Sequence, residues 1–160
     1  MIKSSLLDAI RVVKENERVA SASYADAAKR INNKVGKQLF EELSAFENFH
    51  YQQIEALEIS LEGSGKYINY QGKEFPLPPI FEISATKEQN TKTVMAIITG
   101  ALDLEKMSEK AYNDLSVQID DKQGHEMFAR LAEEEHKHYR ILLDAFWTLT
   151  NLGNWSWSNK

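Results

Sequence analysis

The sequence predicts an all-α fold, a four-helix bundle made of two helical hairpins. Three observations carry this. Four stretches repeat apolar residues at alternating steps of three and four, the inward stripe of a packed helix. The two halves of the chain match each other at a constant offset of 88 residues. Finally, all 3 prolines and three of the 7 glycines fall in one central segment, which separates the matching halves.

In chain order, the first stripe is Ile10, Val13, Glu17, Ala20, Tyr24, Ala27 and Ile31, and it predicts a helix over 3–31. The second, Phe40, Leu43, Glu47, His50, Ile54, Leu57 and Leu61, predicts a helix over 35–62. The short Asn32-Asn33 turn between them makes an antiparallel hairpin, 3–62. A third stripe, Ile98, Ala101, Glu105, Ser108, Tyr112, Leu115 and Ile119, lies in a helix expected over 87–119. The fourth, Phe128, Leu131, Glu135, His138, Leu142, Ala145 and Leu149, lies in one expected over 122–150. Asp120-Asp121 turns this second hairpin, 87–150.

Between the hairpins, 63–86 carries Gly63, Gly65, Gly72, Pro76, Pro78 and Pro79, which break helices. It is too long for a tight turn and suits a crossover running the length of the bundle, leaving the second and third helices parallel. Its aromatics, Tyr67, Tyr70, Phe75 and Phe81, are expected to pack along the helices. The tail, 151–160, holds Trp155 and Trp157 and reads as an extended segment docking on its own bundle or on a second subunit. The whole chain, 1–160, is expected to form one domain.

The offset aligns more than apolar residues. It superposes Glu47/His50 on Glu135/His138, two Glu-x-x-His pairs, and Glu17 on Glu105, the lone glutamates thirty positions upstream of each pair. Tyr24/Tyr112, Lys34/Lys122, Gly36/Gly124 and Phe40/Phe128 follow the same register. Each acid sits among apolar neighbours on its stripe. At a rise of about 1.5 Å per residue, both members of each hairpin lie roughly 22 Å from their turn, level with each other near mid-bundle. A lone buried carboxylate destabilises a fold by several kcal/mol, so four aimed at one core require cations. Two divalent metals would neutralise them.

Composition narrows the class further. The net charge of −5 and the lack of a basic run argue against nucleic acid as a partner. No apolar stretch approaches the length of a membrane span, and residues 1–11 have no cleavable-leader pattern, so a cytoplasmic protein is expected. With no cysteine, disulfides, thiolate nucleophiles and sulfur-bound metals are out, and redox chemistry must use oxygen and nitrogen ligands.

The spacing of Glu17, Glu47/His50, Glu105 and Glu135/His138, with a tyrosine seven positions after each lone glutamate, resembles the ferritin-like di-iron carboxylate superfamily, most closely its rubrerythrin branch. The string Leu-Ala-Glu-Glu-Glu-His-Lys-His at 131–138 is similar to the fourth-helix motif of that family. The resemblance implies a ferritin-like bundle with a di-iron centre bridged by Glu47 and Glu135. Glu17 and Glu105 would be terminal ligands, and His50 and His138 would bind one metal each. Manganese or zinc could take the place of the two irons. It further implies reduction of peroxide or dioxygen in oxidative-stress defence, with iron binding or ferroxidation as the alternative and hydroxylation ranked last. No catalytic residue beyond the ligands is expected, and a homodimer is the expected assembly.

Two departures from rubrerythrins bear on turnover. The four-cysteine rubredoxin domain is missing, so electrons would come from a separate donor protein. The glutamate expected three residues after the third-helix ligand is replaced by Ser108, which leaves four glutamates and two histidines, closer to the site of bacterioferritin. Glu109, the next residue, is a candidate second-shell group, as are Tyr24 and Tyr112, which could hydrogen-bond a ligand carboxylate. Glu133-x-x-His136 forms an alternative register. His136 leaves the apolar stripe, however, and its counterpart is Asn48, so it is not assigned as a ligand. His125 is expected at the surface, and Tyr51 and Tyr139 are expected to serve packing.

Overall fold

A computed structural model describes residues 3–76 and 87–157. Four helices carry the fold: α1 (Ser4–Arg30), α2 (Lys34–Gly63), α3 (Thr91–Gln118) and α4 (Lys122–Leu152). The two hairpin turns are built alike. Ile31 and Ile119 each leave the helix in an extended conformation (φ −98° and −93°) and are buried, so an apolar anchor ends α1 and α3 at equivalent points. Two residues later an N-cap starts the next helix. The Asn33 side chain accepts hydrogen bonds from the Val35 and Gly36 amides, and that of Asp121 accepts from the Gly124 amide. Each cap contributes about 1 kcal/mol and fixes where the ligand-bearing helix begins.

Close backbone packing pairs α1 with α2, α3 with α4 and, less extensively, α1 with α3. The Asn33 side-chain amide donates to the Lys87 carbonyl at 2.8 Å, so the chain returns from the crossover beside the start of α2. The second and third helices are therefore parallel, as the crossover length predicts. Apolar side chains form two clusters. One, around Tyr24, Phe40, Ile98 and Leu142, fills the end carrying the α1–α2 turn. The other, around Ile10, Leu57, Leu115 and Phe128, fills the opposite end. The six predicted ligands lie between them.

The boundaries differ from expectation in one instructive place. The third helix begins at Thr91 rather than 87, because Lys87 and Glu88 are engaged by the tail: the Glu88 amide donates to the Gly153 carbonyl at 2.8 Å, and Lys87 forms an isolated antiparallel bridge with Asn154. The fourth helix runs to Leu152 and is ended by Gly153 in the left-handed conformation, φ 71°. The tail then docks on its own bundle. Trp155 is fully buried, and its indole N–H donates to Glu88 Oε1 at 3.0 Å.

Both helix starts receive an aromatic ring at a glycine. A Cβ on Gly36 would overlap the Trp155 ring, and one on Gly124 would lie 2.6 Å from Tyr67 ring carbons. The duplicated glycines thus seat different partners, one from the tail and one from the crossover. Phe75 stacks on Phe46 (5.7 Å, 29°), and Tyr70 reaches Glu134. Three of the crossover aromatics pack along the helices as expected; Phe81, with Pro78 and Pro79, lies outside the described residues. Among the described residues, no helix is long and apolar enough to cross a membrane.

Gly36→Ala should displace the Trp155 ring, lowering unfolding free energy by about 1–3 kcal/mol and shifting the tryptophan emission to longer wavelength. Urea titration followed by fluorescence checks both; an unchanged spectrum and midpoint would contradict the close seating of Trp155.

Candidate metal centre

All four helices contribute to one buried cluster. Glu17 comes from α1, Glu47 and His50 from α2, Glu105 from α3, and Glu135 and His138 from α4, and each is at most 1% exposed. Their donor atoms fall into two overlapping groups, Glu17–Glu47–His50–Glu135 and Glu47–Glu105–Glu135–His138, within which all lie no more than 4.8 Å apart. Either group could hold a metal ion. Glu47 and Glu135 belong to both, so each hairpin lends its Glu-x-x-His glutamate to the other's group.

The histidines show the same exchange. His50 Nδ1 lies 2.9 Å from Glu135 Oε1 and 3.4 Å from Glu17 Oε2. His138 Nδ1 lies 3.0 Å from Glu47 Oε1 and 3.6 Å from Glu105 Oε2. The two imidazoles are nearly parallel, with centroids 6.2 Å apart. These approaches lack hydrogen-bond angles. Among the described residues, every buried side-chain nitrogen or oxygen without a hydrogen-bond partner belongs to these six residues. They are Glu17 Oε2, both Glu47 oxygens, His50 Nδ1, Glu105 Oε2, both Glu135 oxygens, and both His138 nitrogens. Native structures rarely leave such atoms unpaired, because each destabilises by about 1–3 kcal/mol. Divalent cations accept what these atoms offer, and the carboxylate–imidazole set without sulfur suits iron, manganese or zinc.

Two tyrosines hold the outer oxygens of the lone glutamates. Tyr24 Oη donates to Glu105 Oε1 at 2.8 Å, and Tyr112 Oη donates to Glu17 Oε1 at 2.5 Å. Both bonds cross between α1 and α3, tying the hairpins together and leaving Oε2 of each glutamate to face the cluster. Burial, reinforced by Glu105 for Tyr24 and by Glu17 for Tyr112, raises both phenols well above their ordinary range, so both remain donors.

Glu134 is the buried neighbour of the cluster that the sequence reading missed. It is 1% exposed and accepts from Tyr70 Oη (2.5 Å), the Lys73 amide (2.8 Å) and Arg130 Nε (2.9 Å), while its Oε1 lies 2.9 Å from His50 Nε2. The duplication conceals it, since its counterpart is Phe46. The only local signal is Arg130 four residues earlier, an i,i+4 ion pair on the helix.

Without cations, the surroundings of the cluster favour proton binding at several of its groups. Burial first, and then repulsion from neighbouring carboxylates, pushes Glu17 and Glu135 well above the usual carboxylate range. Glu47 goes the other way: burial opposes its charge, but the close approach of Glu17 and both histidines outweighs it. Burial also disfavours the imidazolium forms, yet Glu134, Glu135 and Glu17 raise His50 well above normal, and Glu105 and Glu47 push His138 up to about 9.

The remaining candidates lie elsewhere. Glu109 is not at the cluster; its carboxylate lies 3.2 Å from His136 Nδ1 and 3.8 Å from Lys106, on the outer α3–α4 surface. One position along the helix turns it away from the stripe. The half-exposed His136 shares that surface. His125 is exposed, with Nδ1 2.8 Å from the Ser116 carbonyl. Tyr139 lies under Lys106, and Tyr51 donates to Glu55 at 3.2 Å.

The proton load sets a pH dependence for chelator-treated protein. Glu17 and Glu135 have folded pKa values above their ordinary 4.5, so their stabilising contribution is complete below that pH and is lost as pH rises through the folded values. The His138 contribution is complete below 6.5 and is lost through about 9. Thermal unfolding of metal-free protein should therefore move to lower temperature from pH 5.5 to 9; a midpoint that climbs over this range would contradict the assignment. Glu135→Gln should raise metal-free stability at pH 8 by about 1–3 kcal/mol, since it removes a carboxyl held in an environment hostile to its charge.

No family model and no curated protein matches the chain. Among solved structures, a hypothetical protein from Pyrococcus furiosus is similar, with a TM-score of 0.73 over 92% of each chain at 18% sequence identity. At that identity the similarity establishes a shared all-α four-helix fold.

Proposed function

We propose that this protein is a non-haem di-iron protein that reduces peroxide or dioxygen, in the manner of a rubrerythrin. One observation carries the metal reading: among the described residues, the unpaired buried polar atoms all belong to the six residues that the duplicated motif singles out. A core that kept nine such atoms for no ligand would be destabilised at each of them. In this reading Glu47 and Glu135, present in both groups, would hold both ions. Glu17 with His50, and Glu105 with His138, would complete one position each. Two bound irons would supply the redox capacity for a two-electron reduction of peroxide.

The chain's own part is placement and charge. Tyr24 and Tyr112 fix one oxygen of each lone glutamate and leave the other unpaired toward the cluster, free to bind an ion. The buried aromatic rings beside the histidines, Phe46 above all, keep the histidine edges dry. With no cysteine in the chain, electrons for repeated turnover would come from a separate donor protein. That same fact favours the second reading, an iron-binding or ferroxidase role in which iron is oxidised once and held.

Iron-reconstituted protein should contain two metals per chain by elemental analysis. Glu47→Ala or Glu135→Ala should weaken both positions, on the order of 100-fold or more, whereas His136→Ala should leave binding intact. Equal loss from all three would contradict the chosen register, and no metal uptake would contradict the reading altogether.

Peroxide consumption by iron-loaded protein separates the two roles. With rubredoxin or a flavoprotein reductase supplying electrons, consumption should continue for many turnovers and fall at least tenfold in Glu105→Ala and His138→Ala. A single stoichiometric oxidation that no donor extends would make ferroxidation the better account.

A further inference from the structure

The two halves of the centre are not equivalent, and the difference lies in what each histidine does with its outer nitrogen. A metal-bound imidazole offers one nitrogen to the ion and carries a proton on the other; a carboxylate that accepts this proton fixes the tautomer and strengthens the ligand. His50 has such a partner. Its Nδ1 faces Glu17, Glu47 and Glu135, while Nε2 lies 2.9 Å from Glu134. Glu134 is held from three further directions by Tyr70, the Lys73 amide and Arg130. The crossover closes tightly over it: Gly72 sits at φ +75°, and a Cβ there would lie 2.8 Å from Glu134 Oε2.

Among the described residues, His138 has no such partner. Its Nδ1 faces Glu47, Glu105 and Glu135, but Nε2 is buried with no hydrogen-bond partner among the described residues. At the position that corresponds to Glu134 the chain has Phe46, whose ring meets His138 edge-on at 4.5 Å, with Phe75 at 5.0 Å. A metal at His138 therefore leaves an N–H in apolar surroundings, whereas a metal at His50 completes a hydrogen bond already in place.

Resting on the dinuclear reading above, we propose that Glu134 is a positioning residue that makes the two metal positions unequal, so that the His50 position fills first and holds its ion more tightly. Removal of such an outer partner typically weakens metal binding about 10- to 100-fold, which sets the expected gap between the two steps. The crossover thereby gains a second role, since Tyr70 and Lys73 hold the residue that ranks the two positions.

Zinc titration of full-length protein tests this without reference to activity. With ring nitrogens labelled with 15N, the first equivalent of Zn(II) should shift His50 Nδ1, and His138 should respond only to the second. Calorimetry should resolve two steps separated by about 10- to 100-fold. Glu134→Gln, which keeps the shape, should weaken the first step by that factor and leave the second within about threefold, so that the two merge. Unfolding of the metal-free variant distinguishes this from a merely structural clasp, because loss of a clasp would lower the melting temperature and weaken both steps alike. Should the variant fail to fold, the filling order in wild-type protein decides alone. Simultaneous shifts of both histidines, His138 responding first, or equal weakening of both steps would overturn the proposal while leaving the dinuclear site intact. No zinc binding at all would overturn the dinuclear reading and this one with it.

Discussion

Four carboxyl groups and two imidazoles share one dry volume at the middle of the bundle, and most of the architecture answers to that constraint. Ionised groups so placed repel each other in a medium that screens them poorly, and as neutral groups they still leave polar atoms unpaired. Burial and mutual repulsion meet part of this demand by favouring the protonated forms of Glu17 and Glu135, and the Tyr24–Glu105 and Tyr112–Glu17 bonds meet another part. What remains unmet points inward. The two apolar clusters on either side supply the burial that allows the chain to tolerate such a centre, and the paired caps at Asn33 and Asp121 set the height at which its residues meet.

Much of this was legible in the sequence because duplication and periodicity reinforce each other. Glu17, Glu47, His50, Glu105, Glu135 and His138 lie on four stripes of one period at one offset, and a helix places such residues on one face regardless of finer detail. Tyr24 and Tyr112 were readable as partners of carboxylates for the same reason, since two turns along the same stripe bring them level with the neighbouring helix. The start of the third helix was not readable. Its first residues are occupied by Gly153 and Asn154, more than sixty positions away, and local propensity carries no information about that pairing. Glu109 looked near the site in sequence, but one residue turns a helix by about 100° and sets it on the outer surface.

Glu134 shows where the strength of the sequence signal becomes a weakness. A duplicated site draws attention to what the halves share, yet the difference between Glu134 and Phe46 gives them distinct surroundings. The helices bearing the histidines, α2 and α4, are not among the closely packed pairs, and the crossover lies along both. Tyr70 and Phe75 make the long connection part of the wall around the centre. A segment that a hairpin-by-hairpin reading treats as a link thus becomes specific to one half of the cluster.

Diffraction from crystals grown with Mn(II), with data collected to record anomalous scattering from manganese, tests the central claim most directly. The account predicts two peaks about 3.5–4 Å apart between Glu47 and Glu135, one beside His50 Nδ1 and one beside His138 Nδ1. No peak among the six residues in crystals that keep this fold, or a metal bound instead at Glu109 and His136 on the outer surface, would contradict it.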